Sequence, residues 1–230
     1  MLRDKLEWLD RRARLRHRQR DCPATARYIL DQADPAEATQ EELLLIRGHG
    51  RGAGDAGQLA VREGVLNSEQ CAALRGYLET HMNSVVPDSV DGRPEYQVNL
   101  TRAQLHALVG DGGLATLMDL PCALGAAAGG GGGRLAIFLR KYSADTRPYI
   151  TFHSDTSAFT ANIALSDDDD VTGGRLLALH EGRLEHVRRA VGTALIHAGD
   201  LVHGVSRIER GIRYSLILFF LDQPAQAEAA

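Results

Sequence analysis

His153 and Asp155 stand two residues apart in the stretch Phe152-His153-Ser154-Asp155-Thr156-Ser157. In an extended strand, residues i and i+2 project from the same face, about 7 Å apart, so this imidazole and this carboxylate aim at one point. With nine histidines in the chain, such a pair arises readily by chance and on its own says little. A third donor from another strand changes that. His203, in Gly199-Asp200-Leu201-Val202-His203-Gly204-Val205, lies far enough downstream for intervening strands to fold back. Two histidines and one carboxylate on one face of an octahedron leave three positions open, an arrangement that suits non-haem Fe(II) handling dioxygen and a bidentate cosubstrate. Zinc accepts the same donors, so the ligands alone leave the metal open.

Arg213 follows, in Gly211-Ile212-Arg213-Tyr214-Ser215-Leu216-Ile217-Leu218-Phe219-Phe220, with Ser215 on the same strand face. A buried guanidinium beside a hydroxyl is a receptor for a carboxylate. The alternative is a surface arginine at a strand entrance. The apolar run behind it argues for burial, and a buried charge needs a partner.

Short strands broken by turn residues must position these groups. From residue 134 onward the sequence reads as strands at 134–142, 149–155, 159–166, 174–180, 185–189, 193–198, 201–208 and 213–220. Turns fall between them at Asp167 to Asp170, Thr172-Gly173-Gly174, Glu181-Gly182, Gly199-Asp200 and Glu209-Arg210-Gly211. Strands at this spacing predict an antiparallel double-sheet roll. The fold class is mainly β with flanking helices: a double-stranded β-helix (jelly roll) core preceded by an α-helical N-terminal region. Residues 1–58 are expected to be a helical extension with a glycine-rich linker, 59–222 the domain carrying the site, and 223–230 a disordered tail. Upstream of the roll, 59–65 reads as a short strand. Residues 66–82 read as a helix capped at Asn67 or Ser68 with a Cys71–Leu74–Leu78 stripe, and a second helix is predicted over 101–109, with a further apolar patch at 114–120. Gly129 to Gly133 reads as a flexible loop.

Composition narrows the function. Apolar residues make up 44% and charged residues 24%, as in a soluble globular protein. A formal charge of −4 provides no global basic field for nucleic acid or an anionic membrane. The run Arg11 to Arg20 reads as a solvated helix face. The three cysteines, Cys22, Cys71 and Cys122, form neither a zinc pattern nor a disulfide framework, which points to a reducing, cytoplasmic setting. No secretory signal or membrane span is expected. Gly52-x-Gly54-x-x-Gly57 matches the dinucleotide fingerprint formally but lacks its strand–turn–helix context. Asp167 to Asp170 reads as a solvated turn, His180 and His186 as exposed, and His197 as a satisfied core histidine in preference to a ligand, with a pocket-lining role as the alternative.

The set His-Ser-Asp, His-Gly-Val and Gly-Ile-Arg-Tyr-Ser-Leu-Ile-Leu-Phe-Phe resembles the Fe(II)/2-oxoglutarate-dependent dioxygenases, in their prolyl-4-hydroxylase-like branch. Arg140-Lys141-Tyr142, Gly173-Gly174-x-Leu176 and Leu195-Ile196-His197-Ala198-Gly199-Asp200-Leu201-Val202-His203 support the resemblance, which covers roughly 59–220. It implies that His153, Asp155 and His203 hold Fe(2+). It further implies that Arg213 and Ser215 bind the distal carboxylate of 2-oxoglutarate, and that Tyr142 and Asn162 line the cosubstrate pocket. Many prolyl hydroxylases have lysine where this chain has Arg213, which implies a neighbouring subgroup. O2 would be consumed, succinate and CO2 released, and an unactivated C–H of a small molecule, amino acid or peptide hydroxylated, with L-ascorbate as reductant. Related halogenases replace the carboxylate, so the intact Asp155 implies hydroxylation or desaturation. The alternatives are a zinc-dependent metallohydrolase using the same triad and a non-catalytic jelly-roll binding module.

Overall fold

The structure is a computed structural model that describes residues 22–50, 58–82, 86–126 and 134–221. The N-terminal leucines, the run Arg11 to Arg20, the Gly52–Gly57 fingerprint, the glycine run 129–133 and the tail 223–230 lie outside the described residues.

Three helices share one device at their N-termini. They are α1 (Gln40–Arg47), α2 (Ser68–His81) and α3 (Arg102–Met118). Thr39, Asn67 and Thr101 each accept from the backbone N–H three residues on, while Glu42, Gln70 and Gln104 reach back to the capping residue's own N–H. This reciprocal box satisfies two otherwise orphaned donors. The helix predicted at 101–109 does not stop there. It continues to Met118 through a kink at Gly110 (φ 71), which takes up the apolar patch predicted separately. The stretch Arg102–Leu124 is long and apolar enough in composition to cross a membrane. Yet Leu105, Val109, Leu117 and Leu120 pack into the largest apolar cluster of the molecule.

The strands of the described residues are, in chain order, β1 (Leu59–Arg62), β2 (Val86–Pro87), β3 (Pro94–Glu95), β4 (Gln97–Leu100), β5 (Arg134–Ser143), β6 (Ile150–His153), β7 (Phe159–Ala164), β8 (Thr172–Gly173), β9 (Leu176–His180), β10 (Arg183–His186), β11 (Ala194–Ala198), β12 (His203–Val205), β13 (Ile208–Arg210) and β14 (Ile212–Leu221). A six-stranded sheet runs β1-β11-β7-β14-β5-β4, and a four-stranded sheet runs β10-β9-β12-β6. From β5 onward the chain alternates between them: β5 large, β6 small, β7 large, β9 and β10 small, β11 large, β12 small, β14 large. That is the double-stranded β-helix. The strand expected at 201–208 is split in two by Ser206-Arg207, and the one expected at 185–189 shifts back to β10, which leaves Arg189 in a loop. Strands β2 to β4 were not anticipated.

Strand alternation builds three apolar layers. Outward residues of the large sheet, among them Leu139, Leu216, Leu218, Ile163 and Ile196, bury the stripe Cys71–Leu74–Leu78 and the apolar side of α3. Outward residues of the small sheet, Phe152, Leu177 and Leu179, are covered by Tyr28, Ile29, Leu43 and Ile46 from the segment before β1. Between the sheets lie Tyr142, Ile150, Leu176, Ala178, Leu195 and Val205. Each fully buried Leu or Ile contributes about 1.5–3 kcal/mol. The interior is therefore rigidly walled wherever polar groups enter it.

Candidate metal centre and carboxylate receptor

His153 ends β6 and His203 begins β12, and the antiparallel register places them directly opposite each other. Their rings lie 4.4 Å apart between centroids. Asp155 enters from the loop after β6, where its backbone N–H donates to Gly199 O at 2.8 Å. His153 Nε2 lies 3.7 Å from Asp155 Oδ1, and His203 Nε2 lies 3.9 Å from Asp155 Oδ2. Both separations fall within the roughly 4.2 Å that spans two donors on opposite sides of one ion.

The hydrogen bonds behind the rings settle the tautomers. His153 Nδ1 faces Thr151 O at 2.8 Å and His203 Nδ1 faces Leu201 O at 3.1 Å. A carbonyl oxygen only accepts, so each Nδ1 carries the proton and each Nε2 turns a lone pair toward Asp155. Desolvation, with the neighbouring His203, pushes the His153 imidazole down to about 4, so it stands neutral and ready to coordinate. Against the cost of burial, the surrounding imidazoles of His203, His197 and His153 and the Thr160 hydroxyl hold the Asp155 carboxyl below its usual range. Thr160 Oγ1 donates to Asp155 Oδ2 at 2.6 Å. Ser157 Oγ, 2.7 Å behind, then donates to Thr160. Two neutral imidazoles and one oriented carboxylate, all buried, form a set that could hold a metal ion. The donor chemistry fits Fe(II) and also Zn(II).

His197 is not a satisfied core histidine. Its Nδ1 donates to Ala198 O at 2.8 Å, but its Nε2 lies 3.8 Å from Asp155 Oδ2 and has no hydrogen-bond partner in a fully buried ring. Only half of its polar surface is satisfied, and the other half faces the Asp155 carboxylate, as a pocket-lining residue would.

The large sheet supplies the second feature. Arg213 pairs with Tyr142 across β14–β5, and Ser215 and Ile217 follow on the same face. Asn162 stands opposite Ile217 on β7, so Tyr142, Arg213, Ser215 and Asn162 all face the interior. Arg213 and Ser215 are buried, and Arg213 Nε, Arg213 Nη2 and Ser215 Oγ have no hydrogen-bond partner. Orphaned donors of this kind are what a bound carboxylate would satisfy. Arg213 Nη1 is already engaged, with Asp168 Oδ1 at 2.6 Å and Gly174 O at 3.0 Å. That corrects the reading of Asp167 to Asp170 as a solvated turn: Asp169 and Asp170 fit it, but Asp168 points inward. Burial holds the Asp168 carboxyl above its usual range, with Arg213 offsetting only part of that rise. Gly173 and Gly174 (φ 76 and 62) make the tight turn that presents the Gly174 carbonyl, since a Cβ on Gly173 would meet Arg207 O at 2.1 Å. His186, expected to be exposed, is half-buried, and desolvation lowers its imidazole. It lines a cleft of about 430 Å³ with Asp168, Gly174 and Arg175, and none of the three metal-competent residues borders that cleft.

A buried ion network was not anticipated. The β2–β3 hairpin brings in Asp88, Asp91 and Glu95. Arg147 bonds Asp91 at 2.8 Å and Asp88 at 3.0 Å, while Arg140, on the inner face opposite Ser215, bonds Glu95 at 2.7 Å. Its Nη1 donates to Tyr142 Oη at 3.4 Å. Burial, with the neighbouring Asp88 charge, pushes Glu95 up to about 7.

No family model matches the sequence, and no curated protein is similar to it. Solved structures are. A prolyl-4-hydroxylase from Pseudomonas putida is similar over 80% of this chain and 99% of its own, with 18% identity and a TM-score of 0.55. A viral collagen prolyl hydroxylase from Paramecium bursaria Chlorella virus-1, a 2OG complex, covers 73% of this chain and 98% of its own at 11% identity and a TM-score of 0.50. SnoK, a non-heme alpha-ketoglutarate-dependent carbocyclase from nogalamycin biosynthesis, covers 81% and 85% at 15% identity and a TM-score of 0.50. At such identities the likeness is one of architecture, and the chain has the double-stranded β-helix fold of these oxygenases.

Proposed function

We propose that this chain is an Fe(II)- and 2-oxoglutarate-dependent dioxygenase that hydroxylates an unactivated C–H of a small molecule, amino acid or peptide. One observation carries the reading: a buried His–Asp–His donor set and a buried arginine–serine pair with unpartnered donors occupy the same barrel interior. The unpartnered donors of Arg213 and Ser215 beside the triad favour a carboxylate-bearing cosubstrate over a zinc hydrolase that needs only the triad. The neighbours named as prolyl hydroxylases and as a carbocyclase support oxidative chemistry in this fold.

His153, Asp155 and His203 would hold the ion, and iron(II) when bound supplies the oxidising chemistry with dioxygen. The chain's own work is placement. Thr151 O and Leu201 O fix the imidazoles, Thr160 fixes the carboxylate, and Arg213 with Ser215 takes the far carboxylate of the cosubstrate. Tyr142 packs beside Arg213. The layers of Leu176, Leu195 and Val205 exclude water, which strengthens each charge contact. The same reading includes L-ascorbate as reductant and a cytoplasmic setting suited to free thiols at Cys22, Cys71 and Cys122. A screen for succinate formation across amino acids and short peptides tests it. Succinate should form with Fe(II) and 2-oxoglutarate and vanish in Arg213→Ala. No succinate above the metal-free background, with or without any co-substrate, would overturn the reading.

A further inference from the structure

The receptor on the large sheet holds a second arginine. Arg189 leaves β10 in a loop, yet its side chain is fully buried. Its Nη1 donates to Asn162 O at 2.9 Å and Asn162 Oδ1 at 2.8 Å, and its backbone N–H donates to Asp168 Oδ2 at 3.0 Å. Its Nη2 lies 3.9 Å from Asp168 Oδ1, the same oxygen that accepts from Arg213 Nη1 at 2.6 Å. The Asp168 carboxylate thus sits between two guanidinium groups. Five buried polar atoms around it have no hydrogen-bond partner: Nε and Nη2 of Arg189, Nε and Nη2 of Arg213, and Oγ of Ser215.

Within this cluster two guanidinium groups face one carboxylate, a local excess of positive charge. Such a charge is costly unless paired. A single further carboxylate brings the local charge to zero, and its two oxygens can accept from both guanidinium forks. The location also fits. Asn162, which holds Arg189, lies two residues along β7 from Thr160, which holds Asp155. About 7 Å of strand separates these two anchoring residues on one inner face, so the carboxylate ligand and the arginine pair are held from the same wall of the interior.

We propose that Arg189 is a specificity-determining residue of the cosubstrate site, which reads the distal carboxylate jointly with Arg213 and Ser215. Asn162 positions Arg189, and Asp168 is the built-in counter-ion that limits the receptor to one carboxylate. This rests on the oxygenase reading above, and its test separates the two.

Full-length protein loaded with Mn(II) is titrated calorimetrically with 2-oxoglutarate and with 2-oxopentanoate, which keeps the chelating head and carries a methyl group in place of the distal carboxylate. Wild type should prefer 2-oxoglutarate by at least about a hundredfold, because the methyl leaves the arginines unpaired. Arg189→Gln should cut that preference by roughly ten- to a hundredfold, the loss expected for one charged hydrogen-bonding partner, with 2-oxopentanoate binding unchanged. A merely structural role would weaken both acids alike and overturn the inference. If wild type prefers 2-oxoglutarate, Arg213→Gln loses that preference and Arg189→Gln keeps it, Arg189 is excluded while the oxygenase reading stands. If wild type binds neither acid, the reading and the inference both fall. Should Arg189→Gln not fold, Arg189→Lys retains the charge without the fork; a lowered preference supports the inference and an unchanged one overturns it.

Discussion

Replacing Thr160 by valine removes one hydroxyl and keeps the shape of the side chain. The hydroxyl donates at 2.6 Å to Asp155 Oδ2, and Asp155 is only 8% exposed. Burial limits the access of solvent to the lost donor's place. A hydrogen bond to a charged acceptor contributes about 1.5–3 kcal/mol. Loss of a group that orients a metal ligand typically weakens metal binding about 10- to 100-fold, or about 1.4–2.8 kcal/mol. The two routes agree, so Thr160→Val should raise the Mn(II) dissociation constant ten- to a hundredfold. Thr160→Ser should recover most of it. Competition titration against a metallochromic chelator reads the constant directly, and thermal melts confirm the fold. An unchanged constant in Thr160→Val would refute the claim that Asp155 is a ligand oriented by this bond.

Three further outcomes follow from the geometry. Arg147→Met removes one guanidinium from the buried Asp88 and Asp91 carboxylates, of which Asp88 keeps Arg140 at 3.5 Å, and should destabilise the fold by about 3 kcal/mol in urea melts; a loss under 1 kcal/mol would contradict the burial of this network. Gly199→Ala would place a Cβ 1.8 Å from Ser157 O, and Gly199 O also receives the Asp155 N–H. A cost of at least about 1–3 kcal/mol, with weakened metal binding, is expected from melting and metal titration. In metal-free protein, burial lowers His153 and His197 to about 4, against about 6.5 in the unfolded chain. Between those values the unfolded chain binds more protons, so stability present above pH 6.5 drains away as pH falls toward 4, by at most roughly 3 kcal/mol per imidazole. Urea midpoints equal at pH 7 and pH 5 would contradict it.

Local patterns carried much of this architecture. The β14 run Ile212–Leu221 is apolar on both faces apart from Arg213 and Ser215, so it reads as a buried strand with a polar insertion, and the caps at Asn67 and Thr101 mark helix starts. His153, Asp155 and His203 were legible from their residue types and order along the chain, although Asp155 lies in the loop after β6 and not on the strand face that the i, i+2 rule assumes. Other features depend on which distant residues meet. Asp168 looks like its acidic neighbours until the fold turns it onto Arg213. Arg189 sits in a polar loop sequence, and only the contact with Asn162 reveals its burial. The β2–β3 hairpin carries Pro87, Pro94 and several charges, which mask its strands; its carboxylates become intelligible only beside Arg140 and Arg147.

The central claim is that His153, Asp155 and His203 hold one ferrous ion while Arg213 holds the far end of its cosubstrate. Anaerobic optical titration of the Fe(II)-loaded protein with 2-oxoglutarate tests it most directly. A visible metal-to-ligand charge-transfer band should develop in the wild type and be absent from a folded His203→Ala variant. A wild-type protein that stays colourless, or a variant whose band is undiminished, would contradict the account.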